Sequence, residues 1–261
     1  MASARNGVLM LRKPIPLWVL SGGFSLTLLA GCINAVGFLS AQRQPLSHMS
    51  GTVCAVGMEW ANGHTALVWH AFRVLLSFFL GALLSGAIIR QSTLKAGRRY
   101  GVALSVEAGL LFAATAGFHH ASNWGVYFAA MACGLQNAMA SSYSGAVIRT
   151  THMTGMITDL GIACGHVLRG QAVEWRRFQL YGALGAGFLG GSYLGAVGFH
   201  RYGYSTLLIP ALVAGVIGFA FTAYKHAQRL AQSKGGAAPR LVPAPIASGS
   251  LPSRRSVRCE P

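Results

Sequence analysis

An apolar stretch that carries Asn34 is followed by Ser47-His48-Met49-Ser50-Gly51, and about 104 residues later a second apolar stretch that carries Asn137 is followed by Thr151-His152-Met153-Thr154-Gly155. A further glycine, Gly57 or Gly161, stands six residues beyond Gly51 or Gly155. The offset extends outward, since Arg73 maps onto Arg177, Gly81 onto Gly185 and Gly86 onto Gly190, so residues 18–118 overlie residues 122–222. Self-similarity on that scale constrains the fold ahead of any local reading: the chain is two homologous halves in one polypeptide.

Composition says where such halves reside. Only 10% of residues are charged against 53% hydrophobic, with 34 glycines and a positive mean hydropathy. That describes a polytopic membrane protein, and the lipid bilayer is its first partner. The net charge of +16 invites a nucleic-acid partner. The basic residues avoid the apolar stretches and gather in connectors and tails, where membrane topology accounts for them, so nucleic acid is set aside. The apolar stretch after Arg12 and Lys13 is too long for a cleavable signal core and reads as a first span. The five cysteines show no paired spacing, so neither a disulfide framework nor a zinc motif is indicated.

Six stretches, residues 17–41, 67–89, 101–118, 123–148, 177–199 and 205–224, are long enough to cross about 30 Å of hydrocarbon. Two shorter and more polar ones, 47–62 and 151–168, hold the His-Met motifs. With six spans and cytoplasmic termini, all but Arg43, Arg73 and Arg201 of the 21 basic residues fall inside, whereas eight full spans divide them far more evenly. Three spans per half is odd, which turns the second half upside down. The predicted fold class is therefore an all-α polytopic membrane protein of about six transmembrane helices plus two re-entrant or broken helices, arranged as two inverted-topology repeats. Its divisions are a basic cytoplasmic segment (1–16), two membrane repeats (17–118 and 119–225) and a disordered basic cytoplasmic tail (226–261), Gly-, Ala-, Pro- and Arg-rich and too poor in apolar residues to order itself.

In this reading the short segments start half-helices near the midplane. The five residues from Arg43 to His48, extended at about 3.3 Å each, reach roughly 16 Å inward, with Ser47 and Thr151 as N-caps. Two opposed N-termini meeting there present N–H groups and positive dipole ends to a small polar or anionic solute. His48, Ser50, Gly51, His152, Thr154, Gly155 and Asp159 are the candidate substrate-binding residues, Asn34 and Asn137 brace them, and the histidines offer coupling to protons. The alternative is that Ser50-Gly51 and Thr154-Gly155 only let helices cross closely. Glu59 reaches the membrane surface. Glu107, six residues into its span, is either an intramembrane proton site or snorkels back toward Arg98 and Arg99. Asn34, Gln136 and Asn137 either touch solute or bond across to a neighbouring helix. Gly182, Gly185, Gly187, Gly190, Gly191 and Gly195 form a small-residue face, and exposed glycine faces also allow a homo-oligomer.

No catalytic set and no metal-ligand spacing emerges among the histidines, and no cofactor is implied. A membrane-embedded enzyme using His48, His152 and Asp159 is the rival class, and a non-transporting scaffold is a third.

The run Ala30-Gly31-Cys32-Ile33-Asn34-Ala35-Val36-Gly37-Phe38-Leu39 with Ser47-His48-Met49-Ser50-Gly51-Thr52, and the second copy Thr151-His152-Met153-Thr154-Gly155-Met156, resembles the YoaK-like family of bacterial integral membrane proteins, a domain of unknown function. Ser50 and Thr52 depart from its usual Ser-His-Met-Thr-Gly-Asn. The resemblance spans about residues 20 to 224 and implies an inner-membrane location without an activity.

Overall fold

The computed structural model describes residues 17–89, 98–144, 149–171 and 173–235, and within them the chain is all-helical. In chain order the helices are α1 (Leu17–Leu39), α2 (Met49–Ala61), α3 (Thr65–Ile88), α4 (Arg98–His119), α5 (Trp124–Ser144), α6 (Met153–Leu168), α7 (Trp175–Tyr202), a 3-10 turn (Gly203–Leu207) and α8 (Leu208–Gly235). Each predicted span coincides with one long helix, and each motif segment with a short one.

These residues form long helices because lipid offers the backbone no other partner. α1 carries 23 residues without a charge, about 35 Å at 1.5 Å per residue. It ends where Ser40 Oγ donates to Gly37 O (2.7 Å) and Arg43 takes a left-handed φ of 45°, which turns the chain back on itself. α2 and α3 form a tight hairpin: Gly63 at φ 74° breaks the helix, and Glu59 pairs with His64 at 2.7 Å across the turn. Glu59 thus sits near the C-terminal end of α2.

Among the described residues, four stretches are long and apolar enough to cross a membrane: Val19–Leu39, Thr65–Ile88, Arg99–His119 and Trp175–Gln228, the last containing α7 and most of α8. α5 has the length of a span, but Gln136, Asn137 and Ser141 lower its hydropathy. It tolerates them because α1, α3 and α4 pack around it. Large apolar side chains point outward instead, among them Phe79 and Leu83 on α3, Leu189 on α7, and Val216 and Phe219 on α8. Such an exposed surface is stable in hydrocarbon and not in water. The protein is an all-α polytopic membrane protein.

Packing exchanges elements between the halves: α1 lies on α7, α3 on α5, and α4 on α8. Glycine makes the first contact possible. A Cβ at Gly187, Gly191 or Gly195 would collide with α1 at Phe24 and Thr27, Leu28, or Cys32 respectively, whereas Gly182, Gly185 and Gly190 face open space. Half of the predicted small-residue face is therefore the seam. These contacts advance together along both chains, so α1 and α7 run parallel. His70 bonding Tyr127 at 3.1 Å and Gly134 lying on Phe78 make α3 and α5 parallel too. Gly218 meets Gly101 and Ser105 while Gly215 meets Ala108, so α4 and α8 are antiparallel. Tyr204 gathers one end of the bundle: its ring stacks on Phe118 at 4.9 Å and meets Phe199 edge-on, and its hydroxyl accepts from Ala41 N at 3.4 Å. The C-terminal ends of α1, α4 and α7 thus share one end, and α3, α5 and α8 run the other way.

The segment from residue 226, expected to lack order, is helical as far as Gly235, where α8 ends. Gln228 donates to Tyr224 (2.7 Å) and accepts from Lys225 (3.2 Å), pairs one turn apart that extend the helix past its apolar part. Residues 1–16 and 236–261 lie outside the described residues.

Candidate functional site

The first motif is tied to α1. Asn34 Nδ2 donates to Ala30 O at 2.8 Å, which aims Oδ1 at the returning connector, where it accepts from Ser47 N at 3.1 Å and Ser47 Oγ at 2.9 Å. Gly37 lets the connector lie this close, since a Cβ there would stand 2.5 Å from Leu46 Cγ. Ser47 is consequently not the N-cap. Its hydroxyl is taken by Asn34, and His48 holds the N-cap position without a side-chain cap bond. The connector turns at Arg43 instead of running extended, so the chain re-enters only from Leu39 to the level of Asn34, about 8 Å of helix. His48, half-buried, sits edge-on to Phe38 (5.4 Å) and stacks on Phe188 of α7 (6.5 Å). Ser50 and Gly51 are exposed.

The second motif has the same sequence pattern and different contacts. His152, not Thr151, is the N-cap, again without a side-chain bond. Its ring folds over Gly155 in its own first turn and is exposed, as are Thr154 and Asp159. Asn137 Oδ1 is buried and meets no partner among the described residues, and the same holds for Thr150 Oγ1. Met153 and Met156 pack with Val19, Ala140, Leu180 and Leu184. Asp159 accepts from Tyr181 hydroxyl at 3.0 Å, beside the exposed Arg177–Glu174 pair at 3.0 Å.

The two motifs do not meet. Ser47 is fixed at Asn34, while Met156 clusters with Val19, fifteen residues earlier on α1, a separation of roughly 20 Å along that helix. The reason is helix direction. α1 and α5 end at opposite ends of the bundle, and each connector re-enters only a short way from its own end. His48, His152 and Asp159 therefore share no centre.

The space between the halves lies elsewhere. A cavity of about 330 Å³ is bounded by α1 (Val19, Ser21, Ser25, Leu29), α4 (Tyr100, Leu104), α5 (Met139, Ala140) and α8 (Ala214, Phe221). Val19 and Ala140 belong both to its wall and to the cluster that receives α6, so the second motif stands at its rim. Sequence reasoning passed over this wall. Its one signal was the small-residue run Ser21-Gly22-Gly23 with Ser25 on α1, where α8 approaches only lightly.

Glu107 and Gln136 do not line this cavity but stand one helical turn from residues that do. Glu107 follows Leu104 by three residues on α4 and Gln136 precedes Met139 by three on α5, so each shares a face with a cavity residue, one turn inward. Both are fully buried, and among the described residues neither the Glu107 carboxyl oxygens nor the Gln136 amide atoms have a hydrogen-bond partner. Glu107 does not snorkel. Among the described residues, no group of three or more His, Cys, Asp or Glu side chains could hold a metal ion.

The family model described as a protein of unknown function (DUF1275) matches residues 22–220, and YoaK-like proteins belong to this family. The likeness carried by the two His-Met motifs is thereby established. No curated protein and no solved structure matches the chain.

Proposed function

We propose that this protein, which belongs to the DUF1275 family, is a permease that moves a small solute between its two halves. With the offset of about 104 residues, α1 corresponds to α5, α2 to α6, α3 to α7 and α4 to α8. Each long pair runs in opposite directions, which supports an inverted-topology repeat, the architecture of many secondary transporters. In such a protein the halves exchange conformations, and one access route is open while its counterpart is closed.

The observation that carries this reading is a broken symmetry. α4 packs closely on α5, whereas the equivalent contact, α8 with α1, is held apart around the cavity. At one end Asn34 holds Ser47 through two hydrogen bonds. The end where Asn137 Oδ1 is unengaged carries the cavity.

The solute class follows the cavity. An anion site needed two half-helix N-termini at one point, and they lie roughly 20 Å apart. Walls of Val19, Leu29, Leu104 and Phe221 relieved by Ser21, Ser25 and Tyr100 suit a small, weakly polar molecule. The cavity end also bears the start of α1 and the basic residues around 98–99 and 169–177, which under the positive-inside rule supports a cytoplasmic orientation for that end.

The test is flux in sealed vesicles holding purified protein, with a panel of small neutral and weakly acidic solutes. Ser25→Trp fills the cavity from α1 and should abolish flux in a protein that still unfolds at the parent temperature. Unimpaired flux in Ser25→Trp, or none for any solute with the parent, sinks the reading. Chemical turnover without flux would point to an embedded enzyme.

A further inference from the structure

We propose that Glu107 is a proton-binding site, with the Gln136 carboxamide as the partner that serves it in both protonation states. The register of the α4–α5 hairpin brings the two to one depth. Gly117 faces Gly125 across the turn; Glu107 lies ten residues back from the first and Gln136 eleven on from the second, about 15 Å and 16 Å of helix. A carboxamide donates through Nε2 to a carboxylate and accepts through Oε1 from a carboxylic acid, so one side chain suits either form. In the structure neither bond is made, which leaves the pair free to form it when a proton arrives or leaves.

The repeat supplies the control. The α4–α8 offset of about 104 places Ala211 where Glu107 stands, and the Asn34–Asn137 match, about one residue shorter, places Ile33 where Gln136 stands; both are fully buried. The fold thus completes this position once with an apolar pair and once with an acid and an amide, so packing alone does not require the carboxyl. It occurs on the side of the bundle that borders the cavity through Leu104 and Met139.

The surroundings select a proton over a metal cation. From α5 the titratable neighbour is Cys133, whose thiol interacts with Glu107. α8 has no titratable or charged side chain from Leu208 to Ala223, and at this depth α3 offers the Ser85 hydroxyl. On α4 itself the nearest are Tyr100 and Arg99, two turns away. No cation faces the carboxylate among the described residues, and the oxygens at hand are too few for a sodium or calcium shell. A proton needs one. Binding of that proton stands without the permease reading, whereas its coupling to solute movement rests on it.

The experiment uses the full chain in vesicles and the apolar reagent dicyclohexylcarbodiimide, which adds to protonated carboxyls within membranes. Adducts on the five acidic residues are located by mass spectrometry across a pH series, with and without sodium. The expected result is an adduct on Glu107 that falls with rising pH as a single titrating group, is unaffected by sodium, and vanishes in Glu107→Gln. An infrared difference spectrum between acid and alkaline samples should show a carboxyl band that Glu107→Gln removes, which decides the matter if the reagent cannot reach the site. A pH-independent band and adduct, or protection by sodium, overturns the proposal. If Glu107 titrates while Ser25→Trp leaves flux intact, the proton site stands and the permease falls. If Ser25→Trp stops flux and Glu107 does not titrate, the reverse holds.

Discussion

The two His-Met motifs share a sequence and not a state. At the first, Asn34 accepts two hydrogen bonds from Ser47, and His48 is held between Phe38 and Phe188. At the second, Asn137 Oδ1 has no partner among the described residues, and His152 leans on Gly155 at the surface. Equivalent residues in unequal environments are what a two-state repeat would show when caught in one of its states. The comparison locates that inequality in a few side chains.

The sharpest way to break it is sidedness. In a background without native cysteines, Arg43→Cys and Arg169→Cys, each next to one motif and each exposed, should react with an impermeant thiol reagent from opposite faces of the membrane. Reaction from one face would end the inverted repeat and everything built on it. Next in size is the asparagine pair. Asn34→Ala leaves Ser47 N–H and hydroxyl without their acceptor and should cost about 2–3 kcal/mol, whereas Asn137→Ala removes an unbonded carbonyl oxygen and should cost under about 1 kcal/mol. Unfolding in matched micelles measures both, and equal losses would erase the distinction. His48→Ala gives up two ring contacts, about 1 kcal/mol, and His152→Ala should be neutral in the same assay. Smallest is the glycine pair. Gly51→Ala meets open space and should gain about 0.5–1 kcal/mol from helix propensity, a gain that Gly155→Ala forfeits because the His152 ring must swing away.

The long helices were legible in the sequence because a bilayer imposes length and hydropathy directly, and the repeat gave their order. Helix ends were less so. The end of the span drawn through 123–148 falls on residues 145–148, outside the described residues, and α8 outruns its apolar part through polar pairs that hydropathy does not register. The motif residues were found, but their meeting point was not. Ser47 looks like an N-cap when only the following residues are considered, and it becomes Asn34's donor only once the connector folds back against Gly37. Depth of re-entry depends on that tertiary contact. Glu107 was visible as an anomaly, yet choosing between snorkelling and burial required its neighbours, and Gln136 gained meaning only from the hairpin that sets it at the same depth.

The glycine seam between α1 and α7 has a consequence for how the chain is made. Ser192 Oγ donates to Gly31 O across 161 residues of sequence, so α1 leaves the ribosome well before the helix it pairs with. At about 5–20 residues per second that wait is roughly 10–30 s. Throughout it α1 displays a notched, unpaired flank to the lipid, and neither half can close by itself. Assembly of this protein is thus governed by its slowest partner, and the halves, though copies of one another, are born as a single interlocked unit.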